Sequence, residues 1–325
     1  KKCLLLRLRR NALVVGARPA RARHMHPTQL YLLAFAQSDS RTVIRSAPSS
    51  FKPWCGGTKN VRFLGALKKA ARSTELQHAL LLDVGAFDGS DSVAFATATG
   101  LRVHAFEPTP SKLQRIRDVF IKSGKVAPLL TLHPIGVSNY TGTTDLWVSP
   151  MLPSQRGRLD DSMGSQQDSL TRPPWADSGV TLRHTVEIST LDAVLGPEAQ
   201  VLYAKVDAQG HDPAVLRGAA SLLSSHRIRF LKFEVAPGLG SVSAYVELLD
   251  ELTRVHGYNC FDCSLPGERQ APLLKHRLQV LASQNISVNG VRHGGSPDFF
   301  CSYGSEQGSR ASDASLQHAR VSTNR

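Results

Sequence analysis

No acidic residue precedes Asp39, and that absence relocates the charge of the whole chain. Lys1, Lys2, Arg7, Arg9, Arg10, Arg18, Arg21 and Arg23 fill the same stretch, so eight of the 13 net positive charges sit there. The basicity therefore belongs to a leader and not to a folded face. Aromatics interleaved with Arg or Lys, which single-strand binding requires, are also missing, and nucleic acid is not an expected partner. No apolar run approaches the roughly 20 residues of a membrane span. The best in the leader, Leu30–Ala36, is short even for a secretory signal core. An Arg-rich, acid-poor leader fits an organellar transit peptide, so the expectation is a soluble protein of an organelle or the cytoplasm. Composition leaves its compartment and oligomeric state open.

Cysteine is sparse and odd in number: Cys3, Cys55, Cys260, Cys263 and Cys301. Cys260 and Cys263 form a C-x-x-C, but the second pair of a structural zinc site is absent, so no metal is expected. The pair lies in a strand-like alternation, where a redox motif would open a helix. Buried thiols are the expectation, with a disulfide open to a secreted chain.

What is present is a 41% hydrophobic chain in which strands and helices alternate between residues 59 and 303. Residues 1–58 read as leader and linker, and 304–325 as a disordered polar tail. Helices are expected over 61–76, 90–99, 111–123 (Ser111 as N-cap, Gly124 as stop), 213–223 and 245–255. Strands are expected at 80–84, 101–106, within 126–137, and at 201–206, 229–235, 258–263 and 298–303. Segments 143–148 and 185–189 alternate like added antiparallel strands. The polar segment 150–183, with its lone Trp175, breaks the rhythm and is expected to act as a partly mobile substrate cover.

The first strand ends in Asp83-Val84-Gly85-Ala86-Phe87-Asp88-Gly89, a D-x-G-x-x-x-G loop in place of the dinucleotide G-x-G-x-x-G. Gly85 and Gly89 would let backbone amides approach a ligand without a Cβ in the way. Phe87, where a middle glycine would stand, would crowd a pyrophosphate. Glu107 ends the second strand, where its carboxylate can accept from both hydroxyls of a ribose. Such charged hydrogen bonds contribute about 1.5–3 kcal/mol each. A carboxylate there also disfavours a 2′-phosphate, which places NADP last among nucleotides.

Several blocks in order then carry a family resemblance. Asp83-Val84-Gly85-Ala86, Ala105-Phe106-Glu107-Pro108, Thr190-Leu191-Asp192, Lys205-Val206-Asp207-Ala208-Gln209-Gly210 with Val215-Leu216-Arg217-Gly218, and Phe233-Glu234 resemble the FkbM family of S-adenosylmethionine-dependent methyltransferases. The resemblance covers roughly 61–303. It implies an α/β class I methyltransferase fold, Rossmann-like: a seven-stranded, mostly parallel sheet with helices on both faces. It also implies S-adenosylmethionine as cofactor, with Asp83, Gly85, Ala86 and Gly89 at the methionine end, Glu107 at the ribose, and Gly136, Val137 and Ser138 beside the adenine. Phe87 and Asp88 depart from the family's usual Asn and hydrophobic residue, and Gln209 replaces the commoner Glu.

Methyl transfer to a hydroxyl requires alignment and a base. Asp207 and His211 follow the fourth core strand and are candidates for that base, with Glu234, at the end of the fifth, orienting the acceptor. The resemblance implies O-methylation of a sugar, glycolipid or polyketide-like acceptor. An NAD- or nucleotide-sugar-dependent oxidoreductase is disfavoured by Phe87 and by the missing Tyr-x-x-x-Lys. A non-catalytic binding module on the same sheet is disfavoured by intact Gly85, Gly89, Glu107 and Asp207. Two N-x-S/T sequons, at Asn139 and Asn285, matter only if the chain is secreted.

Overall fold

Leu80-Leu81-Leu82-Asp83-Val84 is apolar with almost no interruption, and such a run suits a parallel strand covered on both faces. The computed structural model describes residues 45–46, 49–73, 76–148, 168–173, 182–236, 239–265, 278 and 297–304. In it β1 is Arg45–Ser46, and helix α1 (Val61–Ala71) leads into β2 (Leu80–Val84), every residue of which is buried. There follow α2 (Ser90–Thr99), β3 (Arg102–Phe106), α3 (Pro110–Lys122), β4 (Leu130–His133), β5 (Gly136–Val137), β6 (Gly142–Val148), β7 (Leu182–Ser189) and α4 (Leu191–Leu195). The rest of the core is β8 (Val201–Val206), α5 (Asp212–Arg217), α6 (Ala220–Ser224), β9 (Ile228–Glu234), α7 (Val242–Asp250), β10 (Asn259–Asp262) and β11 (Asp298–Ser302).

The main sheet runs β1-β10-β11-β9-β8-β2-β3-β4, parallel except at β11, which is antiparallel to both neighbours. Seven of these strands make the mostly parallel sheet expected from sequence; the two-residue β1 extends its edge. From β2 the chain turns to β3 and β4 on one side and later to β8 and β9 on the other. The gap between the tips of β2 and β8 is thus the switch point, where ligands bind in open α/β sheets.

Alternation along the central strands feeds two cores. Leu81, Val103 and Tyr203 pack with Trp54, Phe63, Leu67 and Phe95 on the α1–α2 face. Leu82, Val84, Ala204 and Val206 pack with Val215, Leu216, Leu222 and Leu248 on the other. A smaller sheet, β5-β7-β6, carries 136–137 to the rim of the main one.

Local differences from expectation have local causes. The cap of α3 is Thr109, one step before Pro110, because proline is suited to the first helical turn. Helix 213–223 is broken into α5 and α6 at Gly218–Ala219, and a Cβ on Gly218 would lie 2.0 Å from the carbonyl of Ser138. The expected helix 61–76 stops at Ala71, and 245–255 divides into α7 and a π-turn at Glu251–Val255.

The cysteine expectation is corrected. Cys260 is bonded to Cys301, its direct partner on the β10–β11 ladder, and Cys263 to Cys55, in the turn before α1. A spacing of three along an extended segment points the two sulfurs of the C-x-x-C to opposite faces. Each therefore meets a partner 41 or 208 residues away instead of its neighbour. Among the described residues no helix is long and apolar enough to cross a membrane. Most of the leader, segments 149–167 and 174–181, the tail beyond 304 and Asn285 lie outside the described residues.

Candidate cofactor and acceptor clefts

At the tip of β2 the chain turns through Gly85 (φ +79°), whose N–H, with that of Ala86, donates to the carbonyl of Phe106. A Cβ on Gly85 would lie 2.0 Å from the backbone oxygen of Asp207, so glycine is what lets the β2 and β8 tips meet. Phe87 follows in the left-handed region (φ +53°) and donates its N–H to Glu107 Oε2 at 3.0 Å. Thr109 N–H donates to Glu107 Oε1 at 3.0 Å. Glu107 is 4% exposed and held from both sides at the end of β3. Beneath it Lys112 Nζ pairs with Asp168 Oδ2 at 2.8 Å and lies 5.1 Å from the Phe87 ring centre.

These groups wall a cleft of about 410 Å³. Gly85, Ala86, Glu107, Gly136, Val137 and Asp207 from the sequence-based set all line it. A second cleft of about 280 Å³, on the β9 side, is lined by Asp207 and Glu234 together with Lys232 and Asp298. Lys59, Asp91, Lys205 and Asp207 line both, so the two clefts meet there.

Lys205 is the electrostatic centre of that junction. Its Nζ lies 3.2 Å from Asp83 Oδ1, 3.3 Å from Asp91 Oδ2 and 3.7 Å from Asp207 Oδ2. Burial works against its charge, but the carboxylates of Asp83, Asp207 and Asp91 outweigh that and raise its pKa well above the ordinary value. Gln209, at φ +50°, donates from Nε2 to Asp207 Oδ1 (2.6 Å) and to Glu234 Oε2 (3.0 Å). One amide thus spaces two carboxylates of the second cleft.

Four of the sequence-based candidates lie outside the walls of both clefts. Asp83 is fully buried and spends its oxygens on Ser92 Oγ (2.6 Å) and Lys205. Gly89 caps α2, and a Cβ there would press on Phe120 and Ile116, so its small size serves packing. Ser138 Oγ meets His211 Nε2 at 3.0 Å, and Thr171 Oγ1 meets His211 Nδ1 at 3.0 Å. Both imidazole nitrogens are engaged, and burial lowers the His211 pKa to about 4, which keeps the ring neutral. The His211 side chain is thus held between the hydroxyls of Ser138 and Thr171.

Asp91, Lys59 and Asp168 went unassigned in the sequence, and Gln209 was marked there only as a replacement for Glu. The α2 position of Asp91, on the first turn after the glycine loop, is the one local signal among them. Asp168 and Leu170 belong to the segment expected to cover substrate, and both line the first cleft. Ser169, bridged to Trp147, donates to the carbonyl of Gln209 at 2.7 Å.

No curated protein matches the chain. Among solved structures, the methyltransferase FkbM from Methylobacillus flagellatus KT is 14% identical at a TM-score of 0.42, the match covering 69% of this chain and 43% of that one. The chain thus matches under half of that relative's length. A precorrin-6y C5,15-methyltransferase from Geobacter metallireducens GS-15 is 11% identical at a TM-score of 0.34, over 74% of this chain and 87% of that one. The model of the methyltransferase FkbM domain matches residues 83–260, more than half of the sequence and the span that holds most of the residues lining the two clefts. The chain belongs to the FkbM methyltransferase family.

Proposed function

We propose that this chain uses S-adenosylmethionine to methylate a hydroxyl of a small acceptor, a sugar, glycolipid or polyketide-like molecule. The observation that carries the reading is the pair of adjoining clefts at the switch point, with Glu107 in one and Asp207 where they meet. The first cleft fits such a cofactor in its chemistry. Glu107 offers a carboxylate to the ribose hydroxyls, Val137, Leu146 and Leu170 offer an apolar wall to the adenine, and mixed charge at the junction suits an amino-acid tail. The bound cofactor supplies a methyl group on a sulfonium, open to in-line displacement.

The chain's own residues do the rest. Asp207, at the junction, takes the proton from the acceptor hydroxyl as it becomes a nucleophile. Glu234 orients that hydroxyl, and Gln209 holds the two carboxylates at a fixed spacing. Lys205 balances the negative charge around Asp207. His211 has no part in proton transfer, because both of its ring nitrogens are engaged by the hydroxyls of Ser138 and Thr171. Lys232, Glu234 and Asp298 set charged groups in the second cleft beside Phe63, Phe95 and Tyr203, a mixed lining that suits a hydroxylated acceptor with an apolar face.

Calorimetric titration of the full chain with S-adenosylhomocysteine and with NAD tests the cofactor. Binding of the first alone is expected; binding of NAD alone would replace this reading with the oxidoreductase one, and binding of neither would leave a non-catalytic module.

A further inference from the structure

The turn that precedes α1 reaches the junction of the clefts although it lies outside the matched family span. Three contacts pin it there, and a fourth caps the helix that follows. Cys55 is bonded to Cys263, and the carbonyl of Gly56 accepts from Lys232 Nζ at 3.4 Å. Thr58 Oγ1 donates to Asp91 Oδ1, and Asn60 caps α1 by accepting from Arg62 N–H at 2.9 Å. Lys59 sits between the last two and lines both clefts.

Its charge is distinctive. Four lysines line the clefts, and three have carboxylate partners: Lys112 with Asp168, Lys205 with Asp83, and Lys232 with Asp298 at 2.7 Å. Among the described residues Lys59 pairs with no carboxylate. A lysine at the mouth of a ligand site, held by its backbone and left unneutralised, is suited to an anionic group of the ligand.

The polarity of the first cleft says which group. A transferable methyl has to face the acceptor, so the sulfur belongs at the junction, and Glu107, Val137 and Leu170, which line the first cleft alone, hold the adenosine end. The amino-acid tail branches from the sulfur and so lies on the Lys59 side. Resting on the cofactor reading above, we infer that Lys59 receives the α-carboxylate of the cofactor's amino-acid tail, through a turn that the Cys55–Cys263 bond holds against the site.

The test compares S-adenosylmethionine with its decarboxylated analogue, which differs only by that carboxylate, in direct binding measurements on wild type and Lys59→Ala. An exposed charge-assisted contact predicts that the variant binds S-adenosylmethionine about five- to tenfold more weakly. Its affinity for the decarboxylated analogue should stay within about twofold of wild type. Equal weakening of both, or of neither, overturns the assignment of Lys59 and leaves the cofactor reading intact. Failure of wild type to bind either ligand overturns both. Lys59→Arg, which keeps the charge, should recover most of the affinity; its failure to do so would also count against the assignment.

Discussion

At the scale of single residues, Glu107 combines two duties that the sequence separates poorly. Its position at the end of the second strand suggests a ligand carboxylate, and a side chain aimed only at ligand could be removed at little cost to the fold. In the structure it also accepts the N–H groups of Phe87 and Thr109. Glu107→Ala is therefore expected to weaken S-adenosylhomocysteine binding about 10- to 100-fold, and to cost about 1–3 kcal/mol for the amides it orphans. Titration and thermal melting on the same sample check both; an unchanged dissociation constant would remove Glu107 from the site. Asp207 is simpler. Asp207→Asn keeps an oxygen for Gln209 and should bind cofactor normally while turnover falls by about 10²- to 10⁴-fold. Full activity in that variant would exclude Asp207 as the base. Gln209 stood out in the sequence only as a replacement for Glu, and its bridging role did not, because an amide between two carboxylates is defined by β8 and β9 lying side by side.

At the scale of elements, the first loop works through close approach. The β2 strand was legible because a fully covered parallel strand must be apolar throughout, and the glycine after it was legible as a turn. That the turn closes on the β8 tip was not, since the contact joins Gly85 to Asp207 across the switch point. Gly85→Ala would add a backbone clash to a left-handed φ, each costing about 1–3 kcal/mol. It should lower the melting temperature markedly and weaken cofactor binding at the same time. A variant as stable as wild type would show that the β2 and β8 tips can separate without consequence. Gly89, its apparent twin in sequence, packs on Phe120 and Ile116 and belongs to the α2–α3 contact instead.

At the scale of the molecule, two disulfides tie the sheet edge formed by β10 and β11, one to itself and one to the turn before α1. Four of the five cysteines should resist alkylation in denaturant until reduced, and mass spectrometry before and after reduction checks this. By loop-closure entropy, losing the 208-residue link should cost about 1.4 kcal/mol more than losing the 41-residue one. Comparing the melts of Cys55→Ser and Cys301→Ser tests that order; a larger loss for Cys301→Ser would make native packing, not chain entropy, the deciding factor.

Stability should also depend on pH in a definite direction. Burial lowers the pKa of His104 and of His211 to about 4 from 6.5, so below 6.5 the unfolded chain binds more protons and stability falls as pH drops towards 4. Asp212, raised to about 7 by burial and by Asp207, opposes this over the same range, because its folded form holds the extra proton. His133, also lowered by burial, and Glu251, lowered by its hydrogen bond to His256, act with the two histidines, while Asp83, raised by burial, acts with Asp212. Four lowered groups against two raised ones predict a net loss on acidification, and His211→Gln should flatten the curve. Melting temperatures between pH 4 and 8 that rise with acidity would refute the balance.

The sequence by itself determined the succession of core strands and helices, the glycine turn and the acid at the end of the second strand, because each is written in contiguous residues, and its ordered motif blocks carried the family resemblance. Tertiary structure alone decided the rest. It left His211 outside the walls of both clefts, set Lys59 and Asp168 on those walls and paired the cysteines across the chain. Those outcomes depend on which strand tips and turns become neighbours at the switch point, and no local pattern encodes a contact between residues a hundred positions apart.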